Sequence, residues 1–269
     1  MVESFFEFKH KPFERDIPPE AMLQTNDFKN LRSRLDHAVK NNCFMIVTGS
    51  AGCGKTTAIR SFTAGLDSSH NTVLYVSESG LTPRNFYYTL LNQLGVRPHF
   101  YRGDAKRQLM KEILAISGNR KQVAIIIDEA HFCNFEMLTE IRFLLNFNYD
   151  SHNPMALVLV GQPELRSTLK RPVYEAIAQR VELCCHIQNL DLVGTCDYVA
   201  AHLKYAADKQ VDIFTDSALR AIFDYSGGLP RKINRVASFC LTHAAQNSKR
   251  LIEAEMVSVI VDNELIYGG

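Results

Sequence analysis

This chain of 269 residues has no apolar run approaching the roughly 20 residues that cross a bilayer, which excludes a helical membrane span. Its opening, MVESFFEFKHKPFERDIP, lacks the basic start, apolar centre and small-residue cleavage site of a signal peptide. The expected location is therefore the cytoplasm, with no membrane partner. The seven cysteines, Cys43, Cys53, Cys133, Cys184, Cys185, Cys196 and Cys240, are odd in number and show no CxxC spacing. That excludes a disulfide frame and a zinc ribbon, and leaves reduced thiols packed in the core as the expectation. Net charge is nearly absent as well, at +1, so nothing global draws the chain to nucleic acid. Any such binding must rest on local clusters. Internal repeats and low-complexity segments are missing too.

What is present is an ordinary globular composition, 46% hydrophobic, long enough for one large domain and a small companion. Short β-branched runs alternate with longer helical stretches, the pattern of an α/β fold. CFMIVTG (43–49), TVLYVSE (72–78), QVAIIID (122–128), MALVLVG (155–161) and ELCCHI (182–187) read as five strands. The third and fourth are apolar enough to be buried on both faces, as in a covered parallel sheet. Between them DFKNLRSRLDHAVK, KTTAIRSFTAGL, RNFYYTLLNQL closed by Gly95, DAKRQLMKEILAI closed by Gly118, and FEMLTEIRFLLNF read as helices. After about residue 188 the strands stop. TCDYVAAHLKYAA, TDSALRAIFDYS, PRKINRVASFCLTHAAQ and EAEMVSVIVDNEL then read as a small all-helical domain. The expected division is an arm over 1–24, an α/β domain over 25–190 and a helical domain over 191–269.

The chemistry begins at GSAGCGKT, which satisfies G-x-x-x-x-G-K-[ST] between an expected strand and an expected helix. Gly49, Gly52 and Gly54 let the backbone N–H groups of Ser50, Ala51 and Cys53 curl around a phosphate, and the helix start adds its dipole. Lys55 reaches the β/γ-oxygens, Thr56 can ligate Mg2+, and Thr57 completes the ATP-binding set. IIIDEAH (125–131) supplies the second half: Asp128, at the end of a buried strand, can hold the Mg2+ shell while Glu129 polarises the attacking water. The bland alternative is that the two acids cap the next helix. DEAH alone is also a helicase box, but such helicases need two motor domains and this chain has room for one sheet.

The chain resembles the AAA+ ATPases, and more narrowly the branch holding the secretion-pathway A proteins and the ATP-binding target regulators of transposons, partners of DDE transposases. The likeness runs through FFEFKHKPFERDIP, GSAGCGKTTAIR, LTPRNFYYTLLNQLG, IIIDEAH, EIRFLLNF, LVLVGQPELR, AIAQR and SGGLPRKINR, nearly the full length. It implies a P-loop fold with a five-stranded parallel sheet and a helical lid. It also implies that Gln162 is a first sensor of the γ-phosphate, where Asn or Thr is commoner. The alternative is a polar strand terminus. Arg180 falls at the usual place of an arginine finger serving a neighbouring subunit, with Arg166 and Arg171 as rivals and a plain surface arginine as the other reading. In SGGLPR the glycines permit a tight entry, Pro230 starts a helix, and the resemblance makes Arg231 a second sensor on the lid. A solvated cation cluster is the plainer reading, and the better one for Lys232 and Arg235.

For the arm, simple packing of Phe5, Phe6, Phe8 and Phe13 on the core is the first reading. Phe13 to Ile17 lining the adenine side is what the resemblance implies. Gly194 and Thr195 stand where acidic helix starters are more usual, which puts the firmness of the first lid helix in question. The partners implied are a homo-oligomer with ATP, ring or filament, double-stranded DNA and a DDE transposase. A secretion or cell-envelope ATPase is the rival, and such relatives usually carry an anchor and a wall-binding domain. A helicase loader or signalling switch is a third reading. Local support for DNA is a run holding Arg84, Arg97, Arg102, Lys106, Arg107 and Lys111 near Phe86, Tyr87, Phe100 and Tyr101, for which a solvated helical face is the alternative.

Overall fold

The computed structural model describes residues 2–14, 17–18, 21–145 and 153–264. Of the sequence readings, Arg15 and Asp16 in the arm, Asn146 and Phe147 ending FEMLTEIRFLLNF, and Leu265 in the final helix lie outside these residues. The fold is α/β. Strands β1 (Phe44–Gly49), β2 (Asn71–Val76), β3 (Gln122–Ile127), β4 (Ala156–Gly161) and β5 (Leu183–Ile187) form one sheet in the order β2-β3-β4-β1-β5. Every pairing is parallel, and β1 sits between β4 and β5, with Ile46 beside Leu159 and Cys184. Parallel strands need helical crossovers, and those cover both faces. Hence β1 and β4 are buried at every position and β3 at all but Gln122, so β1 joins the two strands expected to be covered.

The outer strands show what cover is missing. On β5 burial alternates: Cys185 and Ile187 point inward, Cys184 and His186 outward. Cys184 is therefore exposed, a correction to the expectation that the thiols pack in the core, because an edge strand has one covered face. Both sheet edges carry side-chain caps. Gln93 takes the Tyr75 N–H on its Oε1 at 3.0 Å and returns its amide to the Tyr75 carbonyl at 2.7 Å. Arg34 donates to the Cys184 carbonyl at 2.6 Å. Such caps occupy the backbone groups through which an edge strand would recruit another.

The helices begin where their caps direct. Here α1 (Val2–Phe6) precedes α2 (Asn26–Asn41), α3 (Lys55–Ala64), α4 (Pro83–Gln93), α5 (Arg102–Gly118), α6 (Phe135–Leu144), α7 (Pro163–Leu169) and α8 (Glu175–Ala178). Thr82 accepts the Asn85 N–H to start α4, and Asn134 accepts the Met137 N–H to start α6. The end of α5 differs from expectation. Gly118 is its last helical residue, and the left-handed position falls to Arg120 at φ 60°, with Arg120 N–H bonded to Ser117 and Lys121 N–H to Ile116. The 5→2 and 6→1 bonds closing the helix place the turn two residues later than the glycine.

The chain divides into two units: residues 27–51 with 58–187, and residues 1–26 with 52–57 and 188–269. In the second, α9 (Leu192–Ala207), α10 (Asp216–Ser226), α11 (Pro230–Gln246) and α12 (Ala254–Glu264) bury Val199, Leu203, Ile222, Ile233, Val236 and Cys240. Phe8 and Phe13 of the arm join that cluster, with Phe6 packed against it. The first of these helices is firmer than Gly194 and Thr195 promise: it starts at Leu192, and Asp191 caps it by accepting the Gly194 N–H at 2.7 Å. The acidic starter lies just upstream of the segment expected to be helical. Between α10 and α11, Gly228 has φ +70°, and a Cβ there would overlap the Leu190 carbonyl oxygen. Only glycine fits that turn.

Candidate functional site

A parallel sheet sends all its strands' carboxyl ends to one edge, where ligands of open α/β folds are held. At this edge β1 runs into the loop Gly49–Thr56, β3 into Asp128 and Glu129, and β4 into Gln162. The loop turns through Gly52 and Gly54 at φ +84° and +97°, and α3 opens at Lys55. A helix start following a glycine-bearing turn is a general anion-binding arrangement, because first-turn N–H groups find no carbonyl within the helix. Lys55 is buried and Thr56 exposed. Burial raises the Cys53 thiol against the opposing pull of Lys55, keeping it protonated inside the loop.

The acid pair is held by its neighbours. Asp128, 2% exposed, donates its N–H to the Val76 carbonyl at 2.8 Å, extending the β2–β3 ladder by one residue. The Tyr75 hydroxyl donates to one carboxylate oxygen and the Glu129 N–H to the other, each at 2.8 Å. Burial and then Asp128 itself push the Tyr75 phenol up to about 12, so it remains a donor at neutral pH. Glu129 adopts φ 52°, ψ 32°, a left-handed conformation costly for any residue but glycine. It stands at the cap position of the turn Ala130–Phe132, yet its side chain makes no cap bond there. The helix-cap alternative is not what that carboxylate does.

Instead Glu129 Oε2 lies 3.4 Å from Nδ1 of His131, an imidazole 8% exposed. Gln162 meets the same ring: its side-chain amide is 2.9 Å from Nε2 and its N–H 3.3 Å from Nδ1. Gln162 precedes α7 without a side-chain cap bond of its own. Sequence reasoning missed His131. The only signal was its place in DEAH, and nothing along the chain says that residue 162 would come to meet it.

Arg180, half-buried after α8, donates to the Arg142 carbonyl at 3.3 Å. Its rivals are exposed, and Arg171 lies over the Tyr174 ring. In the helical unit, which includes residues 52–57, the Arg231 N–H donates to the Gly52 carbonyl at 3.2 Å. A Cβ added to Gly52 would stand 2.8 Å from the Arg231 Cβ, so a larger residue there would displace one or the other. Lys232 lies over the Tyr225 ring, 5.6 Å from its centre.

The arm is fastened to α9. Lys9 and His10 N–H groups both reach the Ala206 carbonyl, and Lys9 pairs with Asp208 at 2.7 Å. Phe13, at φ 61°, donates its N–H to His202 Nδ1 at 3.2 Å and stacks on that ring at 5.2 Å. Burial pushes His202 down to about 4, so it is the neutral acceptor this bond requires. Ile17 is buried in the same unit.

The basic run after β2 is less available than its composition implies. Arg102 pairs with Glu136 at 2.6 Å and with Glu140 at 3.2 Å, Lys106 with Glu140 at 2.7 Å, and Arg107 with Asp104. Burial raises the Glu140 carboxyl, but Lys106, the Tyr87 hydroxyl and Arg102 outweigh it and leave the group below its ordinary value. Arg84 instead lies over the rings of Tyr88 and Phe100, at 5.2 and 4.7 Å. Phe100 and Tyr101 beside it are exposed by 68% and 71%. Among the described residues no helix is long and apolar enough to cross a membrane.

Residues 38–169 match the AAA domain family. General secretion pathway protein A of Aeromonas hydrophila is 27% identical over 263 residues, 95% of this chain and 47% of that protein. The Mu-like prophage FluMu DNA transposition protein B of Haemophilus influenzae is 27% identical over 157 residues, 57% of this chain and 50% of that protein. The chain thus spans about half the length of these curated relatives. Among solved structures, Drosophila ORC bound to DNA superposes with a TM-score of 0.73 at 17% identity, over 97% of this chain and 65% of that one. ORC2 of Aeropyrum pernix, in ADPNP-ADP complexes, gives 0.71 at 15% identity over 97% and 73%. At such identities the likeness is one of fold.

Proposed function

We propose, for a chain that belongs to the AAA+ ATPases, that its ATP cycle regulates DNA transposition: bound to ATP it forms a homo-oligomer, ring or filament, holds double-stranded DNA and recruits or activates a DDE transposase. The ATP half of this reading is carried by one observation, the seating of Arg231 on Gly52 of the phosphate loop. The backbone of residues 49–57 cradles the phosphates and Lys55 neutralises the β/γ-oxygens. Thr56 and Asp128, whose hydroxyl and carboxylate are hard oxygen donors, would hold a Mg2+ ion, which when bound would supply further neutralisation of the phosphate charge. Glu129 accepts a proton from the attacking water, Gln162 and Arg231 read the γ-phosphate, and Arg180 reaches the nucleotide of a neighbouring copy. Phe13 and Ile17 line the adenine side. Because Phe13 is bonded to α9, the base and the lid helix would move together.

The DNA half is supported by the FluMu relative, whose name is that of a DNA transposition protein, and by the fold shared with an ORC solved on DNA. Arg84, stacked beside exposed Phe100 and Tyr101, is the strongest phosphate contact of the basic run, with Arg102, Lys106 and Arg107 engaged by carboxylates. The rival, a secretion or cell-envelope ATPase, is favoured by the A. hydrophila relative, which aligns with 95% of the chain. Titrating a labelled duplex with the protein separates the two. Binding is expected to be much tighter with a non-hydrolysable ATP analogue than with ADP, and to weaken with salt at a log–log slope of about −0.9 per phosphate contacted. Arg84→Ala should lower that slope for every DNA sequence, and Arg231→Ala should weaken the nucleotide dependence. Equal, negligible binding with both nucleotides overturns the transposition reading in favour of the envelope or signalling ATPase.

A further inference from the structure

We propose that His131 is a positioning residue that couples Gln162 to Glu129 through the tautomer of its ring, holding the carboxylate until the third phosphate is present. The inference rests on the roles given above to Glu129 as base and Gln162 as γ-phosphate sensor. A neutral imidazole has one donor and one acceptor, and at His131 three polar groups compete for them. In one arrangement the Gln162 amide NH2 donates to Nε2 at 2.9 Å and Nδ1 carries the proton, 3.4 Å from Glu129 Oε2. The carboxylate is then held by that charge contact, at the cost of the bond that the Gln162 backbone N–H makes to Nδ1. In the other, Nδ1 accepts the Gln162 backbone N–H at 3.3 Å, so the proton sits on Nε2 and requires the oxygen of the Gln162 amide in front of it. Nδ1 now turns a lone pair toward Glu129, which is released.

The Gln162 amide selects between them. Turning its NH2 to a γ-phosphate presents its oxygen to Nε2 and demands the second tautomer. The change needs no net charge: one proton leaves Nδ1 for solvent and another is taken from solvent at Nε2. Loss of the γ-phosphate returns the NH2 to the ring and the ring to Glu129. The surroundings fit so tight a relay. Phe132 covers the imidazole with ring centres 4.1 Å apart, and a Cβ on Gly161 would stand 3.1 Å from the His131 nitrogen and 3.4 Å from Nδ1. The left-handed turn at Glu129 brings its carboxylate back to a ring only two residues further on.

Long-range proton–nitrogen spectra of the full chain labelled with 15N-histidine distinguish the tautomers directly, with the His131 resonances assigned by their loss in His131→Gln. The Nδ1–H form is expected with ADP and the Nε2–H form with a non-hydrolysable ATP analogue, and Gln162→Ala should abolish the difference. Kinetically, His131→Gln should lower kcat by about 10–100-fold with nucleotide affinity unchanged, because Gln162 loses the Nε2 proton that holds its amide turned to the phosphate, the usual cost of losing an orienting partner. Combined with Gln162→Ala it should cost no more than the larger single effect, since both act through one link. The same tautomer with both nucleotides overturns the proposal, and that measurement needs no active variant. Additive effects of the two substitutions overturn it as well. Failure of the underlying reading looks different: Glu129→Gln would then hydrolyse ATP normally.

Discussion

Among the described residues two histidines with little-exposed rings, one in each unit, are used in opposite ways. His202, 3% exposed, is wrapped by the rings of Phe13 and Tyr198 and asked for one thing, to accept the Phe13 N–H. His131, 8% exposed, has polar groups at both ring nitrogens and more claimants than it can satisfy at once. Apolar burial removes a choice, because charging the ring would cost its full desolvation and the bond it makes. Polar burial keeps a choice open, because either ring nitrogen has a polar group in front of it that can take or give the proton. The helical unit therefore holds its arm in one state, whereas the sheet edge carries the strained backbone and competing donors expected where a reaction is switched.

The largest expected effect would break the sheet-edge side of that comparison from outside. If Arg180 acts on a neighbour's nucleotide, Arg180→Ala should reduce turnover by about 10³-fold or more while nucleotide affinity changes little. Mixing it with Glu129→Gln protein should restore some activity, because some mixed interfaces pair an intact arginine with an intact base. Flat specific activity at all protein concentrations, with no rescue on mixing, would assign the residue a role within its own chain. Next, Glu129→Gln should bind ATP and lose turnover by about 10²–10⁴-fold, the usual worth of a general base. Lys55→Ala should abolish tight binding itself, and equilibrium nucleotide titration beside steady-state hydrolysis separates the two outcomes.

Stability tests sharpen the same contrast. Glu140→Ala leaves Lys106 and Arg102 without their shared carboxylate and the buried Tyr87 hydroxyl without its acceptor, and the unsatisfied hydroxyl should cost about 1–3 kcal/mol in urea unfolding. The folded Glu140 carboxyl lies below its ordinary value, so its contribution is present at neutral pH and lost as pH falls through the folded value. A Glu140→Ala protein as stable as wild type would show the cluster to be mere surface pairing. His202 behaves with the opposite chemistry. Its folded value is about 4 against an ordinary 6.5, so on acidification the unfolded chain takes up the proton first. Stability from this group is complete above pH 6.5 and declines down to about pH 4, by about 3 kcal/mol in all. His202→Gln should flatten that part of the profile relative to wild type, and parallel profiles would show that the ring is charged in the folded state.

Local patterning made much of the fold legible. Apolar runs of strand length separated by amphipathic helices announced a parallel sheet, and PRKINRVASFCLTHAAQ forms α11 over the whole of its expected span. Boundaries failed where a side chain or a turn three residues away set them. Asp191 capped α9 from upstream of its expected start, and the bonds at Arg120 carried α5 through a glycine that composition marked as its end. The accessibility of Arg102, Lys106 and Arg107 also escaped sequence reading, since their carboxylate partners include Glu136 and Glu140 on a different helix.

What the order of residues determined alone is the set of groups that must be spent locally: a glycine-lined loop between strand and helix, acids at the end of an apolar strand, and a proline opening a helix after two glycines. Each is dictated within one or two turns of chain, by backbone conformations few residues tolerate and by donors a helix start leaves unpaired. What only tertiary structure decided is which of these groups meet. Gln162 reaches His131 across 31 residues because β3 and β4 are neighbours in a parallel sheet, and Phe13 finds His202 across 189 because Phe8 and Phe13 of the arm are buried in the helical cluster. Hydrophobic burial is non-directional, so no single segment specifies its partner. The sheet's hydrogen-bond register and the packing of whole elements supply the direction.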